Sequence, residues 1–167
     1  MLKKLVTSSL LAISLASGLA ADNYVFVGAS KADMMEDQSP TIFSVGYGFS
    51  KVFRNNVMVG FSTSYHQGDF KNYSGSDNSW FNGIGVDFHL GYSPTKPLEI
   101  YGIAGYQVQA ISSSTSAGGF GYGAGVSYKV FEHVALAMEY RTYDMELSSL
   151  NINYDYSTMD ALIRFVW

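Results

Sequence analysis

Serine hydrolysis needs a nucleophile, a base and an orienting acid within reach of one another. The 167-residue chain has three histidines, His66, His89 and His133, and only His66 has a serine two positions away, Ser64. On a strand that spacing puts both side chains on one face. A second set is purely electrostatic: Asp87, His89, Glu99, Lys129, Glu139, Arg141, Asp160 and Arg164. If these face one another, they form either a plug of ion pairs or the lining of a pore. The chain has no cysteine, which excludes disulfides, thiolate metal sites and a cysteine nucleophile. There is no metal-ligand spacing and no phosphate-binding glycine loop, so no cofactor or metal is expected. Whether these residues meet depends on the elements that carry them.

Those elements read as strands. From Thr41 onward apolar residues recur at every second position. Phe43, Val45, Tyr47 and Phe49 alternate with Ser44, Gly46, Gly48 and Ser50, and Ile84, Val86, Phe88 and Leu90 alternate with Gly85, Asp87 and His89. The same pattern covers Val57–His66, Phe120–Lys129, Val134–Arg141 and Thr158–Trp167, while Leu98–Ile111 is less regular and Tyr24–Lys31 shows no clear facing. The sum is eight strands. Connections at about 32–40, 68–79, 112–119 and 144–155 are long and polar, whereas those at 54–56, 93–97 and 130–133 are short. Long loops at one end and tight turns at the other fit an eight-stranded antiparallel up-and-down barrel crossing an outer membrane. Only closure pairs every backbone N–H and C=O in hydrocarbon.

The N-terminus supports export. Lys3 and Lys4 precede an apolar run from Leu5 to Leu15, and small residues lead to Ala20-Ala21-Asp22. That predicts a signal peptide over 1–20, cleaved after Ala20, and a barrel domain over 21–167. The apolar run is too short for a membrane-spanning helix. The mature chain would carry 8 basic and 14 acidic side chains, which argues against nucleic acid as a partner.

A soluble sandwich or lipocalin-like barrel is the competing architecture. Its polar face would meet water and be rich in Lys and Glu. Here that face is mostly Gly, Ser and Ala with a few charges, which suits the inside of a narrow barrel. The eight charged or titratable residues named above then fall in the lumen, with Glu99 near Lys129 and Arg141 near Asp160 as expected pairs. Tyr65, Trp80, Phe120 and Tyr140 fall near the loop end, with Phe53, Tyr92, Tyr128, Phe131 and Trp167 near the turn end. Both sets suit interfacial girdles.

With these features the chain resembles the small outer-membrane β-barrel superfamily of Gram-negative bacteria, which includes OmpA-like transmembrane domains and opacity-type surface proteins of the porin family. The resemblance covers the whole mature chain and is strongest in Asp160-Ala161-Leu162-Ile163-Arg164-Phe165-Val166-Trp167. It implies that Ile163, Phe165 and the aromatic end Trp167 form an assembly signal, although terminal Phe is commoner in the family. It also implies the barrel-assembly machinery and periplasmic chaperones as partners, with outer-membrane lipid and lipopolysaccharide around the wall. Nothing after Trp167 corresponds to the peptidoglycan-binding domain of full-length OmpA-like proteins, so wall anchoring is not expected. Lipid A deacylases use barrels of this size and carry a His-X-Ser motif; Ser64 and His66 stand in the reverse order, and a polar lumen role is the simpler reading.

The expected function is a non-enzymatic outer-membrane protein with a narrow, ion-paired lumen, acting in envelope integrity or surface contact and adhesion. The alternative is a narrow pore for ions or small solutes. Asp33, Glu36, Asp37, Asp69, Asp77, Asp144, Glu146 and Asp155 make the long loops acidic, and host or surface ligands would meet those loops. Both mature termini are expected in the periplasm. Protease added to intact cells should cut only in the four long loops; cleavage at the Lys96 turn would overturn this topology.

Overall fold

The structure is a computed structural model that describes residues 21–33, 40–71, 78–111, 115–147 and 152–167. The proposed signal segment and parts of the four long loops lie outside the described residues. Eight strands follow one another in the chain: β1 (Asp22–Asp33), β2 (Thr41–Val52), β3 (Val57–Lys71), β4 (Asn78–Thr95), β5 (Leu98–Ile111), β6 (Thr115–Phe131), β7 (Val134–Leu147) and β8 (Ile152–Val166). Each pairs antiparallel with its chain neighbours, and β8 pairs with β1 to close the barrel. Asn23 and Trp167 exchange backbone hydrogen bonds of 3.1 and 3.0 Å, so the ends of the described chain meet at the short-turn side.

The ladders run farther than apolar alternation indicates. β3 and β4 remain paired out to Lys71 and Asn78, and β7 and β8 out to Leu147 and Ile152. Stretches read as loop, including 68–71, 78–79, 115–119 and 144–147, are therefore strand. Backbone pairing needs no apolar side chain once the strand leaves hydrocarbon, so polar residues continue it. At the opposite end β4 reaches Thr95, leaving Lys96 and Pro97 as the turn rather than the five residues 93–97. The turn at 54–56 closes with Asn56 at φ 63°, a left-handed conformation that Asn tolerates better than most residues. Its amide donates to the Phe53 carbonyl at 2.9 Å.

Lipid-side and lumen-side residues alternate in every strand. In β1, where facing was open, Val25 and Val27 are exposed while Tyr24 and Phe26 are buried. In β5, Ile100 is exposed while Tyr101 and Ile103 are buried. The interior is therefore more aromatic than a lumen of Gly, Ser and Ala. Tyr24, Phe26, Ala135, Ala137, Leu162 and Val166 pack together, with Met58, Tyr101 and Ile103 in a separate cluster. Toward the loops Ile42, Tyr143, Met145, Tyr154 and Tyr156 form the third. Inward glycines make room for them. A Cβ at Gly125 would come within 2.6 Å of the Tyr101 ring and 2.9 Å of Glu139 Cγ, and one at Gly48 within 2.5 Å of Tyr24. Small residues on one strand thus accommodate large ones on another, and the barrel has a packed core.

Candidate functional site in the barrel lumen

Between the apolar clusters lies a charged layer from three strands. β4 contributes Asp87, β7 contributes Glu139 and Arg141, and β8 contributes Asp160 and Arg164. Inward parity follows from the period-two pattern, and the antiparallel register of β7 and β8 sets Glu139 opposite Asp160 and Arg141 opposite Thr158. Two carboxylates directly opposite one another would repel. The Arg141 guanidinium relieves this by reaching both: Nη1 donates to Asp160 Oδ2 at 2.5 Å and Nη2 donates to Glu139 Oε2. Asp87 Oδ2 lies 3.4 Å from the same Nη2. One cation thus serves three acids.

Arg164 completes the layer toward the turn end. Its Nη2 donates to Glu139 Oε1 at 2.5 Å and to the Tyr101 hydroxyl at 2.7 Å, and that hydroxyl donates to Glu139 Oε1 at 2.7 Å. The guanidinium also lies over the Tyr24 and Tyr101 rings, 4.7 and 5.3 Å from their centroids. Asp160 accepts further bonds from Ser30 Oγ and from Thr158 Oγ1, the latter at 3.0 Å. All five charged residues are at most 5% exposed. Such ions persist in a low dielectric only when paired and hydrogen-bonded. Here the contact of Arg141 on β7 with Asp87 on β4 spans the lumen.

The remaining candidates lie elsewhere. His89 is buried, stacks on Tyr101 with centroids 5.1 Å apart, and has Nε2 3.4 Å from Ser62 Oγ. Lys129 pairs not with Glu99 but with Asp22, at 3.1 Å. Stagger at the barrel mouth brings the first strand's Asp22 to Lys129, and Glu99 instead lines a recess of ≈ 20 Å³ with Lys96, Lys129 and Arg164. That is room for about one water. Asp22, Ser30, Tyr101, Tyr143 and Thr158 are partners that sequence reasoning missed. Inward parity was the available signal for Thr158, while the others lie in β1, β5 or beyond the regular alternation.

Ser64 Oγ and His66 Nε2 are 2.7 Å apart, both buried and facing the lumen. Among the described residues no carboxylate bonds His66, and lipid lies on the far side of the wall. His133 is in a turn, its Nδ1 3.0 Å from the Val166 carbonyl oxygen. Of the aromatics expected at the interfaces, Tyr65, Tyr92, Phe120, Tyr128 and Tyr140 are exposed on the outer wall. Trp80 pairs with Asp69 in the ladder, and its side chain lies outside the described residues. Ile163, Phe165 and Trp167 also point outward and are exposed.

The family model described as the outer membrane protein beta-barrel domain matches residues 5–167. Among solved structures, Neisserial surface protein A (NspA) is similar at 21% identity with a TM-score of 0.61, covering 87% of this chain and 96% of that one. Ail, the attachment invasion locus protein of Yersinia pestis, in complex with the heparin analogue sucrose octasulfate, is similar at 16% and 0.59, covering 89% and 100%. The outer membrane enzyme PagL is similar at 11% and 0.59, covering 84% and 98%. At these identities the likeness is one of fold. No curated protein matches the chain.

Arg141→Gln should cost roughly 3–5 kcal/mol, because it strands buried carboxylates. Combined with Asp160→Asn in a double-mutant cycle, it should show coupling of about 0.5–3 kcal/mol. Urea unfolding in detergent micelles measures both; strictly additive effects would show that the two residues act independently.

Proposed function

From the premise that this chain belongs to the outer membrane protein beta-barrel family, we propose that it is a non-enzymatic surface barrel with a sealed lumen, acting through its outer surfaces in envelope integrity or cell contact. The observation that carries this reading is the Arg141 guanidinium bound by Asp160 and Glu139, with Asp87 alongside, between apolar clusters on both sides. A lumen filled in this way leaves the loops and the lipid-facing wall to meet other molecules. The inward direction of Ser64 and His66 supports a role in lumen packing rather than in lipid hydrolysis.

In this reading residues 1–20 are removed on export, both mature termini face the periplasm, and the four long loops face outward. The heparin analogue bound to Ail is a sulfated sugar. The loop end of the barrel, long connections and outer strand ends together, carries eight named acids, so a polyanion would meet like charge. A cationic or neutral surface is the better ligand class for these loops. Ile163, Phe165 and Trp167 serve as the assembly signal, so deleting Trp167 should slow membrane insertion followed by heat-modifiable gel migration, and insertion at the normal rate would remove that role.

Purified protein in planar bilayers should give no stable unitary conductance. Reproducible openings that change with Glu139→Gln or Arg141→Gln would establish the pore reading instead. Replacing each long loop by a short turn should leave folding intact and reduce any whole-cell binding to surfaces.

A further inference from the structure

The seam where β8 meets β1 carries a depression on the lipid side. Two cross-strand rows line it, Leu136–Ile163–Val27 and Met138–Ala161–Ala29–Phe43, and the next row toward the loops, Tyr140–Met159–Lys31–Thr41, bounds it. In the middle row two alanines lie between Met138 and Phe43, which are 55% and 66% exposed. The result is an apolar groove of ≈ 600 Å³, walled by those side chains and floored by the backbone around Gly28 and Leu162. Its size is in the roughly 300–1,000 Å³ range of small-ligand clefts.

A cation stands at the loop end of this groove. Lys31 is exposed, projects outward one row beyond Ala29, and makes no ion pair with any described residue. Of the other Lys and Arg residues whose side chains are described, Arg141 and Arg164 lie in the lumen and Lys51, Arg54, Lys96 and Lys129 lie near the short-turn end, while Lys71 ends β3 at the loop side. In the same row Tyr140 points its ring outward, with its hydroxyl 3.5 Å from Ser157 Oγ. An apolar trough capped by an ammonium and a phenol matches an amphiphile with an acyl chain and an anionic head.

We propose that the β8–β1 seam binds one phosphorylated, acylated lipid of the loop-side leaflet, the lipid A portion of lipopolysaccharide, with an acyl chain between Met138 and Phe43 and a phosphate on Lys31. This rests on the outward orientation of the loops given above. Burial from water does not favour the groove over bulk lipid, since both are hydrocarbon; closer packing in the trough and the charge-assisted contact at Lys31 do. Asp33, one row farther out on the same face, keeps the phosphate on the groove side of Lys31. A second barrel is the poorer occupant. A two-fold contact centred on the groove would set Lys31 against its own copy at the same depth.

The test uses the purified folded barrel in micelles, with folding of every variant checked by heat-modifiable migration. Native mass spectrometry then follows binding of diphosphorylated lipid A, its dephosphorylated form and phosphatidylglycerol. The wild type should retain one lipid A in preference to phosphatidylglycerol. Ala161→Leu, which fills the trough, should lower lipid A occupancy roughly tenfold. Lys31→Gln should remove the preference for the phosphorylated form, roughly a tenfold effect. Wild-type binding in both variants would overturn the site. Equal binding of phosphatidylglycerol, responding alike to both substitutions, would mean unselective annular lipid and also overturn it. So would a dimer abolished by Ala161→Leu with lipid binding unchanged. Binding in micelles does not depend on barrel orientation, which protease cleavage on intact cells tests separately, so either result can fail alone.

Discussion

The pairing of β8 with β1 is the constraint from which the rest of the structure follows. A sheet in hydrocarbon cannot leave an edge, because each unpaired N–H or C=O there costs several kcal/mol. Ten registered pairs from Tyr24–Val166 to Asp33–Ser157 remove that edge. Once eight strands close, the bore is narrow enough for side chains to fill. Every inward residue must then be chosen against those facing it. Gly125 beneath Tyr101 and Gly48 beneath Tyr24 are consequences of closure, since a Cβ at either would collide with the ring.

Closure also explains why charges in the lumen are tolerated. Arg141 alone in the bore would be unsupportable, but the register delivers Glu139 and Asp160 to its guanidinium, and Asp87 meets it across the lumen from β4. Glu139 is further held by Arg164 and Tyr101. Ion pairs of this kind are weak evidence for net stability, because desolvation offsets much of the attraction. Their firmer consequence is for register. Sliding β8 against β7 by two residues preserves which face is apolar, yet it moves Asp160 off Arg141. The alternation fixes facing, and the charged layer selects among registers that facing alone leaves equivalent.

What could be read from the sequence divides along physical lines. The outward set of β2, β3, β4, β6, β7 and β8 was legible because lipid accepts only apolar side chains while the lumen accepts small and polar ones, so the period of two survives. In β1 it fails: Tyr24 and Phe26 fill the bore while Val25 and Val27 meet lipid, and both faces are apolar. β5 fails for the same reason at Ile100, Tyr101 and Ile103. The proximity of Arg141 to Asp160 could be anticipated from neighbouring strands at similar depth. The Lys129–Asp22 pair could not, since it joins residues 107 positions apart and depends on stagger across the closed mouth. Strand lengths beyond the membrane were hidden for a third reason: in water polar residues extend a ladder without any hydrophobic signal.

Outside the packed lumen, two surfaces differ in chemistry. The loop crown is acidic, with Asp33, Asp69, Asp144, Glu146 and Asp155 at or near the strand ends. Such a surface repels polyanions and favours cations or neutral partners. The described wall below it is largely apolar, and Lys31 projects from it on β1. That contrast has structural content. An isolated cation on an otherwise lipid-facing strand is tolerated near the interface, where its ammonium can reach head groups. Placed one row above Ala29 and Ala161, it meets the head groups where the wall beneath is recessed. The strand that closes the barrel on its inner face therefore also carries, on its outer face, a recess and the cation beside it.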